Sequence, residues 1–183
     1  GYAWTAAVDV AGGTVTTMMP ANFETIVAGD DLCVAGAVEA NYDASALLGF
    51  NLNQAPGTGT AVLSIVPPGD GISVSVDSLA VPLRVQIQTA GGQSWCANIP
   101  TLSANIPWSA FNSACWNNSG TWYAGQAITQ LMIQVPGDIT GIRNYDFCVL
   151  NLLPYGSGID TDTGIDTDTG IDTDTGIDTG VDT

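Results

Sequence analysis

The chain has 183 residues, with two basic side chains against 18 acidic ones, no histidine and a formal net charge of −16. Lysine is missing too, which argues against partners bound by neutralising phosphate, such as nucleic acid or an anionic lipid surface. The same absences exclude Ser-His-Asp, Cys-His and Ser-Lys catalysis, and no run is apolar for long enough to span a bilayer, so membrane insertion is not expected.

Period-two patterns run through the chain from its start. YAWTAAV (2–8) and DLCVAGAVE (31–39) read as strands, and SALLGFNLN (45–53) should bury Leu48, Phe50 and Leu52 while Asn51 and Asn53 stay outside. AVLSIV (61–66) reads as a further strand. ISVSV (72–76) turns Ile72, Val74 and Val76 inward and Ser73 and Ser75 outward. In VPLRVQIQ (81–88), Leu83, Val85 and Ile87 alternate with Arg84, Gln86 and Gln88. ITQLMIQV (128–135) buries Leu131, Ile133 and Val135, with Gln130, Met132 and Gln134 facing away, and YDFCVLNL (145–152) closes the series. About eight to ten strands separated by PGTG, PPGDG, AGG and PGD turns predict an all-β antiparallel sandwich over residues 1–157.

Four cysteines, Cys33, Cys96, Cys115 and Cys148, have no CxxC spacing and no histidine to complete a zinc site. Disulfides are expected. Of the three pairings, Cys33 with Cys148 and Cys96 with Cys115 are favoured, because the first pair lies in strand-like runs and the second brackets a loop-rich segment. Such bonds imply an oxidising compartment and a secreted, extracellular protein, from which any signal peptide is expected to have been removed.

The order LCVAGAV, LLGFNLNQ, PLRVQIQ, WCA, IPWSAFNSACW, ITQLMIQVPG, YDFCVLNL resembles the galactose-binding-like jelly-roll domains of secreted bacterial proteins, including many carbohydrate-binding modules. IPWSAFN (106–112), similar to the strand-exit segment of those modules, is the most specific piece. The resemblance implies a jelly roll that binds glycans on a concave face or a rim of loops. It also implies a structural calcium near the chain ends, although Leu150 and Asn151 follow FCV where an Asp would help. No other cofactor is expected.

Sugars need flat aromatic platforms for their apolar faces and planar amides or guanidinium groups for their hydroxyls. Arg84, Gln86, Gln88, Gln130 and Gln134, with Asn51 and Asn53, supply the polar set if their strands are neighbours; a solvated sheet face would look the same. The segment 95–123 adds Trp95, Trp116, Trp122 and Tyr123, whereas Trp4 and Trp108 read as core residues. A glycosidase needs two carboxylates facing each other across a sugar, and the aspartates fall mainly in turns, so no enzyme activity is expected. Asn117-Asn118-Ser119 is an N-x-S sequon, which marks Asn117 as a candidate N-glycan acceptor in a surface loop.

Residues 158–183 form a separate tail of GIDTDT hexads ending in GIDT and GVDT. Every unit has even length, so in an extended chain all glycines and aspartates share one face and all aliphatic residues and threonines the other. Such a sequence self-repels and must lose about 1 to 2 kcal/mol of backbone entropy per residue to order. A neighbouring subunit, divalent cations or sugars on Thr161, Thr163, Thr167, Thr169, Thr173, Thr175, Thr179 and Thr183 would have to hold it. The expected function is that of a secreted structural glycoprotein, self-associating into an extracellular fibre or appendage, with a glycan-binding sandwich and an extended O-glycosylated tail. The alternative is a carbohydrate-binding module joined by a flexible linker to a secreted enzyme or cell-surface protein.

Overall fold

The computed structural model describes residues 2–9, 16–20, 32–54 and 61–156, Tyr2 by its backbone alone. The repeat tail with its eight threonines lies outside the described residues.

Twelve strands are described: β1 (Tyr2–Val8), β2 (Thr17–Met19), β3 (Leu32–Val38), β4 (Ser45–Asn51), β5 (Asn53–Gln54), β6 (Val62–Leu63), β7 (Gly71–Val76), β8 (Arg84–Gln88), β9 (Ser94–Asn98), β10 (Ser103–Pro107), β11 (Gln130–Pro136) and β12 (Arg143–Tyr155). Ten of them form two five-stranded antiparallel sheets, ordered β1-β4-β11-β8-β9 and β10-β7-β12-β3-β2. Two large antiparallel sheets packed face to face make an all-β sandwich, consistent with a jelly-roll-like fold.

Alternation explains which side chains meet between the sheets. Leu83, Val85 and Ile87 are at most 1% exposed, while Arg84, Gln86 and Gln88 are half-buried on the other side. Ile72, Val74 and Val76 from β7 and Leu131, Ile133 and Val135 from β11 join them in one cluster with Val34, Leu48, Phe111 and Phe147. In β12 the parity resets at a bulge between Val149 and Asn151, so Val149 and Leu152 both reach the core region while Leu150 is left exposed.

Three segments differ from the sequence expectation. AVLSIV contributes only the two residues of β6, paired with β5 outside the large sheets, plus an isolated bridge from Ile65 to Ile128; Leu63 and Val66 are exposed. Two prolines follow at positions 67 and 68, and lacking N–H donors they cannot extend a ladder. Met132 faces outward as alternation requires, yet it is 2% exposed. Trp4, expected in the core, lies on the same outer face, because β1 turns the small Ala3 inward. A Cβ at Gly49, the partner of both Trp4 and Met132, would overlap the Trp4 indole, so the glycine is what lets the ring lie across β4.

Both expected disulfides are present. Cys33–Cys148 joins directly opposed residues of β3 and β12, and Cys96–Cys115 ties the loop after β10 to β9. No cysteine is free.

Two buried phenols brace the sandwich. Tyr145 donates to the Thr17 carbonyl at 2.6 Å, through space that a side chain at Gly36 would fill. Tyr123 donates to the Gln126 carbonyl. Burial pushes Tyr123 up to about 12 from the ordinary 10.0 and moves Tyr145 in the same direction. Each raised value means stability that is complete below pH 10.0 and is lost as pH rises through the folded-state value. In an ultraviolet phenolate titration followed alongside near-ultraviolet circular dichroism, Tyr123 and Tyr145 should ionise last and together with loss of tertiary signal. Ionisation of all tyrosines near the ordinary value in a still-folded chain contradicts this bracing.

Candidate functional site

The register of the first sheet sorts its outer face into rows. Gln130 of β11 stands between Asn51 of β4 and Gln88 of β8; Met132 stands between Gly49 and Gln86; Gln134 stands between Leu47 and Arg84. On β9, Ser94, Cys96 and Asn98 continue these rows beside Gln88, Gln86 and Arg84. At about 4.8 Å per strand spacing, the face is roughly 19 Å across from β1 to β9. The strands bearing Asn51, Gln130, Gln134, Gln86, Gln88 and Arg84 are therefore neighbours, whereas Asn53 lies on β5, paired with β6 outside this sheet, and does not join the row.

One half of the face is knitted together internally. Asn51 Oδ1 accepts from Trp4 Nε1 at 3.1 Å and from Gln130 Nε2 at 3.0 Å, while its amide donates to Gln54 at 2.7 Å. Gln88 reaches back to the Gly92 carbonyl. These amides are engaged with their own chain.

The other half opens into a cleft of about 800 Å³. Its floor is Arg84, Gln86 and Gln134, with Ser94 and Cys96 beside them. Trp116, 63% exposed, and the exposed Tyr42 border it as aromatic walls, and Asp43, Asp138 and Arg143 complete the rim. Aromatic faces beside planar amides and a guanidinium are the mixed apolar and polar surface that a pyranose ring presents in complement.

Trp116 is held by the loop that carries it. Asn112 is fully buried, and its side-chain oxygen accepts from the backbone N–H groups of Ala114 (2.8 Å) and Gly120 (3.0 Å) while its nitrogen donates to the Gly120 carbonyl at 3.2 Å. Its backbone bridges to Cys96 on one side and Trp122 on the other, so the sheet continues past β9. The disulfide at Cys115, next in sequence to Trp116, fixes the far side of the loop. A Cβ at Gly120 would meet Ser113 and Asn112, so only glycine fits this closed turn.

Not every aromatic candidate reaches the face. Trp95 is 1% exposed and Tyr123 7%, and their rings pack edge to face 5.3 Å apart inside the sandwich. Neither can offer a platform, because alternation in β9 turns Trp95 inward with Ala97, and Tyr123 follows Trp122 on the opposite side of the chain. Trp108 packs against the core as expected, with Nε1 donating to the Gly69 carbonyl. Trp122 is 53% exposed and projects on the Cys96 side, beyond the residues that line the cleft. Asn117 is exposed beside Trp116, its side-chain oxygen accepting from Ser119 N at 3.0 Å and Oγ at 2.7 Å.

Tyr42, Asp43, Asp138 and Arg143 were not singled out from the sequence. Arg143 alone carried a signal, as one of only two cations. It donates to the Pro136 carbonyl at 2.7 Å and forms an ion pair with Asp138. The Thr140 backbone N–H and then Arg143 hold the Asp138 carboxyl below its ordinary value. Arg84 Nε donates to Asn98 at 3.3 Å; burial, and then the like charge of Arg143, lower its pKa. Among the described residues, no group of three or more acidic or sulfur side chains converges to hold a metal, and no helix is long and apolar enough to cross a membrane.

No protein-family model matches the chain, and no curated protein matches its sequence.

Proposed function

We propose that this chain is a carbohydrate-binding β-sandwich that holds a glycan in the cleft on the outer face of its first sheet. The observation that carries this reading is the in-register pairing of β8 with β11, which gathers Arg84, Gln86 and Gln134 beneath Trp116 and Tyr42. Binding rather than hydrolysis is favoured by the state of Asp138 on the rim. A glycosidase needs one carboxylic acid kept protonated by a raised pKa, whereas Asp138 is shifted the other way and ion-paired with Arg143. The two disulfides support action in an oxidising, extracellular setting.

A second role rests on the tail. Its even-parity repeat favours a threonine-glycosylated strand through which subunits associate into a fibre. In that case the secreted protein should exceed its sequence mass by hexose increments and scatter light as a polymer. An unmodified monomer removes that role and leaves the tail as a plain linker to another protein.

For the cleft itself, affinity electrophoresis and calorimetry against a polysaccharide panel should find a ligand. Trp116→Ala and Gln86→Ala should each weaken it by about tenfold, or ~1.4 kcal/mol, with the melting temperature of the protein little changed. Full retention by both folded variants contradicts the assignment.

A further inference from the structure

We infer that the glycan taken by the cleft carries a carboxylate, as a uronic acid does, and that Arg84 is the group that meets it. This rests on the carbohydrate-binding reading above and adds the charge of the ligand to it.

Cations are scarce in this molecule. The chain has two basic residues, and both line this cleft, although they are far apart in sequence and come from different sheets. A neutral sugar could be held by Gln86, Gln134 and the aromatic walls without any cation. The two guanidinium groups are not equivalent. Arg143 is occupied by the Pro136 carbonyl and the Asp138 carboxylate, and so builds the rim. Among the described residues, Arg84 is anchored only through Nε, to the neutral Asn98 amide, and its two terminal amino groups donate no hydrogen bond.

Arg84 is thus a half-buried cation with a second cation near it and no carboxylate paired to it among the described residues. That arrangement is unfavourable until an anion arrives, and the paired N–H groups of a guanidinium fit a carboxylate in bidentate fashion. Asp43, on the rim, makes no ion pair with either arginine. The acidity of the rest of the molecule repels polyanions at long range, so attraction is confined to this contact. At about 0.15 M salt the screening length is about 8 Å, which suppresses the general repulsion while leaving a close, partly buried pair in force.

The test compares polygalacturonate, its fully methyl-esterified form, a sulfated galactan and a neutral glucan at that ionic strength, using the full chain, Arg84→Gln and Arg84→Lys. The acid form should bind at least about tenfold more tightly than the methyl ester, the equivalent of about one lost charge-assisted pair. Arg84→Gln should abolish that preference and Arg84→Lys should restore part of it. The comparison of acid with ester on the unaltered protein stands even if a variant fails to fold. Equal binding of acid and ester, or tightest binding of the neutral glucan, overturns the carboxylate inference while leaving glycan binding intact. Tighter binding of the sulfated galactan than of polygalacturonate also overturns it, in favour of a sulfate ester. Absence of binding to every polysaccharide overturns both readings.

Discussion

The register of β11 between β4 and β8 is the constraint on which the rest of the molecule depends. A strand has a side-chain period of two, so a slip by one residue would turn Leu131, Ile133 and Val135 into solvent and Gln130, Met132 and Gln134 into the core. Burial of those aliphatic side chains, each worth about 1.5–3 kcal/mol, therefore selects the pairing. The pairing then dictates what stands on the opposite face. Packing energy on one side of the strand thus positions polar groups on the other, and the cleft inherits its geometry from the core.

The loop between β10 and β11 completes the site by a different means. It has no apolar face to anchor it at Trp116, which is largely exposed. Between the apolar anchors Phe111 and Tyr123, the stretch that carries Trp116 is ordered by polar and covalent ties: the buried Asn112 amide, the Cys96–Cys115 bond and the close approach at Gly120. Burying an amide is favourable only when its hydrogen bonds are made, and Asn112 makes three. An aromatic wall held without being buried remains available to a ligand. Charge follows the same economy of placement, since both cations of an otherwise acidic chain stand at this cleft.

Strand type and facing were largely legible in the sequence, because β7 and β8 alternate in burial and β11 alternates in facing, and all three bury the residues that alternation singles out. The disulfide partners were legible as well. Trp4 was not, since β1 turns the small Ala3 inward and Trp4 outward, and only the neighbouring Gly49 hinted at a ring lying across the sheet. The polar floor could be named as residue types, but which of them share a cleft depends on strand order, a long-range property with no local signature. For the same reason Tyr42 and Arg143 went unnoticed: they reach the rim from loops and from the other sheet. Trp95 and Tyr123 looked like platforms because aromatic enrichment in a loop-rich segment does not reveal which side of the chain each ring takes.

The most direct test of the account is to map the ligand on the protein by two-dimensional NMR while titrating the tightest-binding polysaccharide fragment. Shifts should concentrate on the Trp116 indole, the Gln86 and Gln134 side-chain amides and the Arg84 guanidinium, with the Trp95 indole and the outer face of the second sheet at Ser73, Ser75 and Asn105 unmoved. Shifts centred on that second sheet, or none on the Trp116 side of the first, would contradict a binding face set by the register of β11.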